Sequence, residues 1–593
     1  MATPVHFGLP GSESANIAPM NSQAYAIGID FGTASARTLL LDLRSGEEVA
    51  LSELGYAHGV IDEVLPETGE RLASDWALQD PDDYVTVLEA GISAVLAQRP
   101  EAAAHVVGIG IDFTSCTVLP VTADGVPLCK LTQWRRRPHA WVKLWKHHAA
   151  QPVATRLNEV ASGRGEAFLP RYGSRISSEW YFPKLIQIWL DDREVYDASA
   201  RFLEATDWVV WYLTGFERRS ACPAAYKAFW SEAHGLPSAE YFEAAYPGFS
   251  RPDEKLGRTF LPLGSKAGNL RPDLARKLGL PDDVAVAVGN VDSFVSFPGA
   301  GAEGTGTYVM VVGTSICDMV VHPEEITLPG ITGVAKDGIF PGLYGYEAGQ
   351  PAVGDMLGWF GEKLANFGGQ GSVGSVLSGL EQAAGGLRPA QTGLVALDWW
   401  NGNRSVLADA DLSGVLVGLT LQTSAVDIYR CLMEAIAFGN RAILDNFSAA
   451  GLPTRQIITC GGVAEKSPLL MQLFADVSGL PVKVAGSSQV PARGAALFGA
   501  VAAGAQASGF ADIAGAAGTL RPGTGRTYTP DPQASAVYAS VYRVWKDLHD
   551  TLGRAQVTLL HDLKSLRRQA ESGTAATAAT QAGAAAPARA DAG

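Results

Sequence analysis

Three short glycine turns carry the residue types that hold phosphate. The first, Asp30-Phe31-Gly32-Thr33-Ala34-Ser35-Ala36-Arg37, joins two apolar runs. Glycine takes a positive φ without steric cost, and a Gly-Thr-x-Ser turn offers backbone N–H groups and hydroxyls in a concave row that suits phosphate oxygens. Gly32, Thr33, Ser35 and Arg37 are its candidate phosphate contacts, and Asp30 is placed to hold Mg²⁺ through water, because Mg²⁺ favours carboxylate and water ligands. An ordinary hairpin turn with a satisfied aspartate explains the same residues equally well. Val312-Gly313-Thr314-Ser315 repeats the chemistry later in the chain. Cys460-Gly461-Gly462-Val463-Ala464-Glu465-Lys466 runs through two glycines that would let a purine or phosphate reach the backbone, with a plain strand–helix turn as the alternative. Three such turns in this order are harder to reach by accident than any one. There is no GxxxxGK[ST] stretch, which excludes a P-loop.

Moving a phosphoryl group to a hydroxyl needs a carboxylate that takes the hydroxyl proton and aligns its oxygen. In Val288-Gly289-Asn290-Val291-Asp292, Asp292 follows an apolar run and a glycine at the predicted start of a helix. That position suits a carboxylate aimed into a cleft, although on residue type alone a helix N-cap is the commoner role. Arg135-Arg136-Arg137 reads as an exposed basic loop. His147 and His148 are adjacent, so on a helix they point apart and form no metal pair.

The elements that would position these residues alternate between strand-like and helical patterns, the signature of a layered α/β protein. Strands are expected at residues 24–30, 38–42, 106–112, 284–288 and 456–460, and helices at 81–98, 426–448, 467–477 and 492–503, with a further helical region over 537–566. A chain of 593 residues exceeds one hydrophobic core, so two large domains are expected. We divide it into a leader (1–23), a first domain (24–300), a second domain with C-terminal helices (301–568) and a disordered Ala/Thr-rich tail (569–593). The strand-to-Gly-Thr pattern led by Tyr25 recurs at Tyr308, a thin hint of duplication. A net charge of −15 argues against general affinity for nucleic acid or anionic membrane. No apolar run approaches the roughly 18 residues that span a bilayer, and residues 1–23 lack a signal-peptide pattern. Six scattered cysteines without a CxxC pair point to a reduced, cytoplasmic protein.

The order of the turns resembles the sugar kinase, actin and heat-shock chaperone superfamily, and within it the FGGY carbohydrate kinases. Asp207-Trp208-Val209-Val210-Trp211-Tyr212-Leu213-Thr214-Gly215, Gln472–Val477 and the Ala492–Gly499 helix support this. Asp112–Thr117, Trp141–His148, Ile176–Trp180, Gly345–Gln350 and Asp398–Arg404 narrow the resemblance to the L-ribulokinase branch, over roughly 24–504. It implies two duplicated ribonuclease-H-like α/β domains flanking a cleft, with ATP and Mg²⁺ as cofactors. The implied reaction is phosphorylation of L-ribulose to L-ribulose 5-phosphate in arabinose catabolism. Another pentulose or pentitol kinase (D-ribulose, xylulose), or a non-catalytic ATP-binding sugar sensor, are the alternatives. Residue by residue, it implies Asp292 as general base and Ser115, Trp145, Lys227 and Glu347 as sugar contacts. It places Gly313, Thr314, Gly461, Gly462 and Lys466 on ATP. Taken singly, Trp145 also reads as core, Lys227 as a solvated loop cation and Glu347 as a structural acceptor. Gln489, where many relatives carry Glu, and Lys466, at an often small position, leave nucleotide preference open. The expected partners are the sugar and ATP, without nucleic acid or membrane; a homodimer stays open.

Overall fold

The computed structural model describes residues 23–366, 369 and 371–571. The first half is built on a sheet whose central strand, β1 (Tyr25–Phe31), is buried at every residue, as a strand covered on both faces must be. A tight turn returns the chain as antiparallel β2 (Ser35–Asp42), followed by β3 (Glu48–Gly55). Helix α1 (Pro81–Gln98) then carries the chain over to β4 (Val106–Phe113), which lies parallel to β1. Asp80 caps that helix by accepting the Asp82 N–H at 2.9 Å, proline occupies its first turn, and Tyr84, Leu88, Ile92 and Val95 bury its inner face. The sheet is completed by β5 (Lys266–Asn269) and β6 (Ala285–Ala287), in the order β3-β2-β1-β4-β6-β5, and the short strand Asn290–Val291 pairs with the end of β4. Between β4 and β5 an insertion folds around its own aromatic core, which includes Phe168, Tyr172, Trp180, Phe182 and Phe229; helix α2 (Tyr181–Asp191) runs through it. Helix α3 (Asp292–Gly299) leads to the second half.

That half repeats the first. Strands β7 (Thr307–Val312), β8 (Ile316–His322), β9 (Gly333–Lys336), β10 (Tyr344–Gln350), β11 (Gln456–Cys460), β12 (Val482–Ala485) and β13 (Thr524–Tyr528) form a sheet in the order β9-β10-β8-β7-β11-β12-β13. The antiparallel β7–β8, parallel β7–β11, parallel β11–β12 and antiparallel β12–β13 pairings match β1–β2, β1–β4, β4–β6 and β6–β5 one for one. The duplication hinted at by Tyr25 and Tyr308 is therefore a property of the topology.

Helix α4 (Val490–Ala503), from the second half, seats on the first sheet. The approach is backbone to backbone: a Cβ on Gly28 would fall 1.8 Å from the Ala492 carbonyl oxygen, and one on Gly110 would fall 1.9 Å from that of Ala495. Only glycine permits that distance. A core shared by both halves, with Ala26, Phe294, Val309, Met319, Ile458 and Leu497, surrounds this contact.

Several expectations change. The helical region at 537–566 resolves into helices Pro532–Asp550 and Thr558–Glu571, so residues 569–571, assigned to the tail, continue a helix. The rest of that tail, and residues 1–22 of the leader, lie outside the described residues. His147 and His148 are not on a helix: they sit in an irregular stretch ahead of helix Gln151–Arg164, and His147 is buried with its Nε2 3.0 Å from Gln187 Oε1. The arginine run does lie in an exposed loop, as expected, and two of its members are paired with carboxylates. Arg137 pairs with Asp192 at 2.6 Å and Glu194 at 2.9 Å, and Arg135 pairs with Glu67. Among the described residues, no single helix is long and apolar enough to cross a membrane.

Candidate active site

The first glycine turn closes with the Gly32 N–H donating to the Ser35 carbonyl at 2.9 Å. Asp30, one residue before the end of β1, is buried and bonded by Arg37 Nη1 at 3.3 Å, while Arg37 Nη2 reaches Glu53 at 3.0 Å. The parallel register sets Asp30 directly beside Asp112 on β4, and Asn290 pairs with Asp112 on the other side. Both Asp112 oxygens are buried without a protein donor. Burial pushes Asp30 upward against the pull of Arg37, and burial together with the Asp30 and Asp292 charges pushes Asp112 well above the usual carboxylate range.

Orphaned carboxylate oxygens facing a second buried carboxylate suit a hard cation that keeps part of its water shell. Among the described residues, no group of three or more ligating side chains forms a closed metal cage. Two adjacent buried carboxylates fit a hydrated Mg²⁺ that keeps most of its water shell.

Asp292 is the first residue of α3; the cap position is Val291, which makes no side-chain cap bond. Asp292 Oδ1 accepts the N–H of Ser293 at 2.7 Å, so the aspartate is not occupied as an N-cap in the usual sense. Burial, then the nearby Asp30 charge, raises its carboxyl to about 7, against the pull of the Ser293 N–H and Lys227. A carboxylate poised there is matched to taking a proton near neutral pH.

Lys227 ends helix Ala221–Lys227 of the insertion and is buried, not solvated. Its Nζ lies 2.9 Å from Glu347 Oε2 on β10 of the opposite half. Burial opposes the ammonium, but Glu347 more than offsets it, and the Lys227 pKa stands above the usual lysine value. Trp145 is half-buried rather than core, and its Nε1–H donates to Thr33 Oγ1 at 3.0 Å. Gln79 Nε2 holds the Thr33 carbonyl at 2.8 Å. Ser115 is partly accessible in the loop after β4. The structure therefore gathers Asp30, Thr33, Trp145, Lys227, Asp292 and Glu347 where the first sheet, the insertion and the second sheet meet.

The remaining candidates line the matching edge of the second sheet. The Gly313 N–H donates to the Ser315 carbonyl at 2.9 Å, so this turn also closes on a serine carbonyl, one residue tighter than the first. Because β7 and β11 pair through Val311 and Cys460, the Gly313–Thr314 and Gly461–Gly462 turns end side by side. Gly461 has φ +98°, and a Cβ there would meet the Val312 carbonyl oxygen at 2.6 Å, whereas a Cβ on Gly462 meets nothing within 4 Å. Open space beside a strand–helix glycine can admit a flat ligand. Lys466 is exposed at the end of helix Gly462–Lys466.

Asp112 was not among the sequence-derived site residues. A signal was present: Ile27-Gly28-Ile29-Asp30-Phe31 recurs as Ile109-Gly110-Ile111-Asp112-Phe113, and parallel pairing turns that repeat into adjacent carboxylates.

Profiles of the N-terminal and C-terminal domains of the FGGY family of carbohydrate kinases match residues 25–299 and 308–503. A ribulokinase of Halalkalibacterium halodurans is 48% identical over 548 residues, covering 92% of this chain and 97% of that protein. A ribulokinase of Mycolicibacterium smegmatis is 42% identical, covering 93% and 98%. In three dimensions the chain is similar to a xylulose kinase from Rhodospirillum rubrum, with TM-score 0.74 and 23% identity over 91% of this chain and 100% of that one. It is also similar to a glycerol kinase of Plasmodium falciparum with ADP, with TM-score 0.70 and 15% identity over 89% and 98%.

Proposed function

Because this chain belongs to the FGGY family of carbohydrate kinases, we propose that it transfers the γ-phosphoryl group of ATP to the terminal hydroxyl of L-ribulose, yielding L-ribulose 5-phosphate and ADP. The observation that carries the chemistry is Asp292, a carboxyl raised to about 7 between buried Asp30 and the Lys227–Glu347 pair. The choice of sugar is supported by relatives called ribulokinase at 42–48% identity over more than 90% of the chain.

In this reading Asp292 accepts the proton of the attacking hydroxyl and aligns its oxygen with the γ-phosphorus. Lys227 donates to the sugar oxygens and Glu347 accepts from its hydroxyls, each held in place by the other. Trp145 lays an apolar face against the carbon chain, and Ser115 borders the same space. The Gly32–Thr33 and Gly313–Thr314 turns offer N–H and hydroxyl donors to the phosphates, with Ser35 and Arg37 beside the first turn, and Gly461, Gly462 and Lys466 form the nucleoside side. Asp30, with Asp112 facing it, would hold Mg²⁺ through water, and the ion would supply charge neutralisation on the phosphates. Closure of the two halves excludes water that would otherwise compete for ATP. We place the enzyme in the cytoplasm and in arabinose catabolism; six unpaired cysteines agree with a reducing compartment.

The test is ADP release with purified protein against a panel of L-ribulose, D-ribulose, xylulose and the corresponding pentitols. L-Ribulose is expected to give the highest kcat/KM. A higher value for another member of the panel reassigns the substrate, and the absence of sugar-stimulated release removes the kinase reading.

A further inference from the structure

Lys184, on α2, is fully buried, and its Nζ donates to the carbonyl of Cys116 at 2.6 Å and to that of Leu144 at 2.8 Å. Those two carbonyls belong to different loops. Cys116 directly follows Ser115, and Leu144 directly precedes Trp145. Cys116 stands at φ +61°, a left-handed conformation that costs a side-chain-bearing residue energy and persists only when its surroundings enforce it. A buried ammonium is expensive, and an apolar side chain of similar size would be the easier way to fill the space. Two carbonyls tied by one cation gain something an apolar side chain does not provide, a fixed distance between the loops.

We propose that Lys184 is a positioning residue for the sugar: by clamping the loops of Ser115 and Trp145 together it sets the width of the space that receives the ketopentose. The inference rests on the reading that these two residues border the sugar. It assigns Lys184 no contact with substrate and no part in proton transfer. Removing the clamp frees the Ser115 loop to relax from its left-handed turn and draw away from the Trp145 loop, which stays tied to Thr33; this widens the sugar space and leaves the nucleotide turns untouched.

Steady-state kinetics of Lys184→Met, with ribulose affinity followed separately by quenching of tryptophan fluorescence, tests the inference. The KM for L-ribulose is expected to rise about tenfold or more and the preference for L- over D-ribulose to shrink, while the KM for ATP stays within about twofold. A ribulose KM within about twofold of wild type overturns the inference, as does a parallel rise in both KM values, which marks general loosening. Should Lys184→Met not fold, Lys184→Gln, with a shorter side chain that keeps an N–H donor, is read instead. An intermediate ribulose KM supports the clamp and a wild-type value overturns it. Wild-type protein without ribulose kinase activity would instead indict the functional reading, so the two failures are distinguishable.

Discussion

The indole N–H of Trp145 donates to the hydroxyl oxygen of Thr33 at 3.0 Å, joining a loop of the insertion to the first glycine turn. Because that oxygen accepts from the indole, the Thr33 hydroxyl proton must point elsewhere, and the phosphate side of the turn is where a partner would lie. Sugar and nucleotide subsites would thus share one hydrogen bond. Trp145→Phe keeps the aromatic wall and loses the bond, which is worth about 1 kcal/mol. We expect it to raise the KM for ATP about fivefold besides any effect on the sugar. Thr33→Ala should do the same, and the double variant should fall short of the product of the two. An unchanged ATP KM in Trp145→Phe would refute the coupling.

The Lys227–Glu347 pair makes a separate prediction, because it is buried and spans the insertion and the second sheet. Removing one member strands the other charge, at a cost of about 3–5 kcal/mol. Lys227→Met and Glu347→Gln should each lower the thermal midpoint clearly, and the double variant should be less destabilised than the sum of the two. Additive losses in thermal unfolding would show that the two charges do not depend on each other.

Gly28 in the first sheet and Gly462 at the start of a helix in the second half should respond differently to one added methyl group. Gly28→Ala drives a Cβ to 1.8 Å from the Ala492 carbonyl oxygen, which forces β1 and α4 apart. Overpacking of this kind costs about 1–3 kcal/mol or more. Gly462→Ala meets no atom within 4 Å, so its thermal midpoint should hold while the KM for ATP rises if the nucleoside lies there. Comparing Tm and ATP KM for the two variants checks both statements.

Much of this was legible in the sequence because it is local. The glycine turns, the helix over Pro81–Gln98 and the strand over Gln456–Cys460 follow from short-range periodicity and turn chemistry, and they fall where expected. The Tyr25 and Tyr308 echo is the local trace of a duplication that is complete only in the strand order. What was not legible depends on chain segments far apart in sequence. Asp112 becomes a site candidate only when β4 aligns with β1. Lys227, on a helix too short to show an amphipathic period, looks solvated until β10 supplies Glu347. The tightly packed Gly28 and Gly110 have no local reason at all; the reason is α4, more than 380 residues further along.

The role of Asp292 is tested most directly by kcat/KM for L-ribulose as a function of pH, for wild type and for Asp292→Asn. A base must be unprotonated to act, and this carboxyl is raised to about 7 by burial and by Asp30. Wild-type kcat/KM should therefore fall about tenfold per pH unit below that value and level off above it. Asp292→Asn should lose about 10²–10⁴-fold in rate and show no such limb. A variant within about tenfold of wild type, with the same pH profile, would contradict the account.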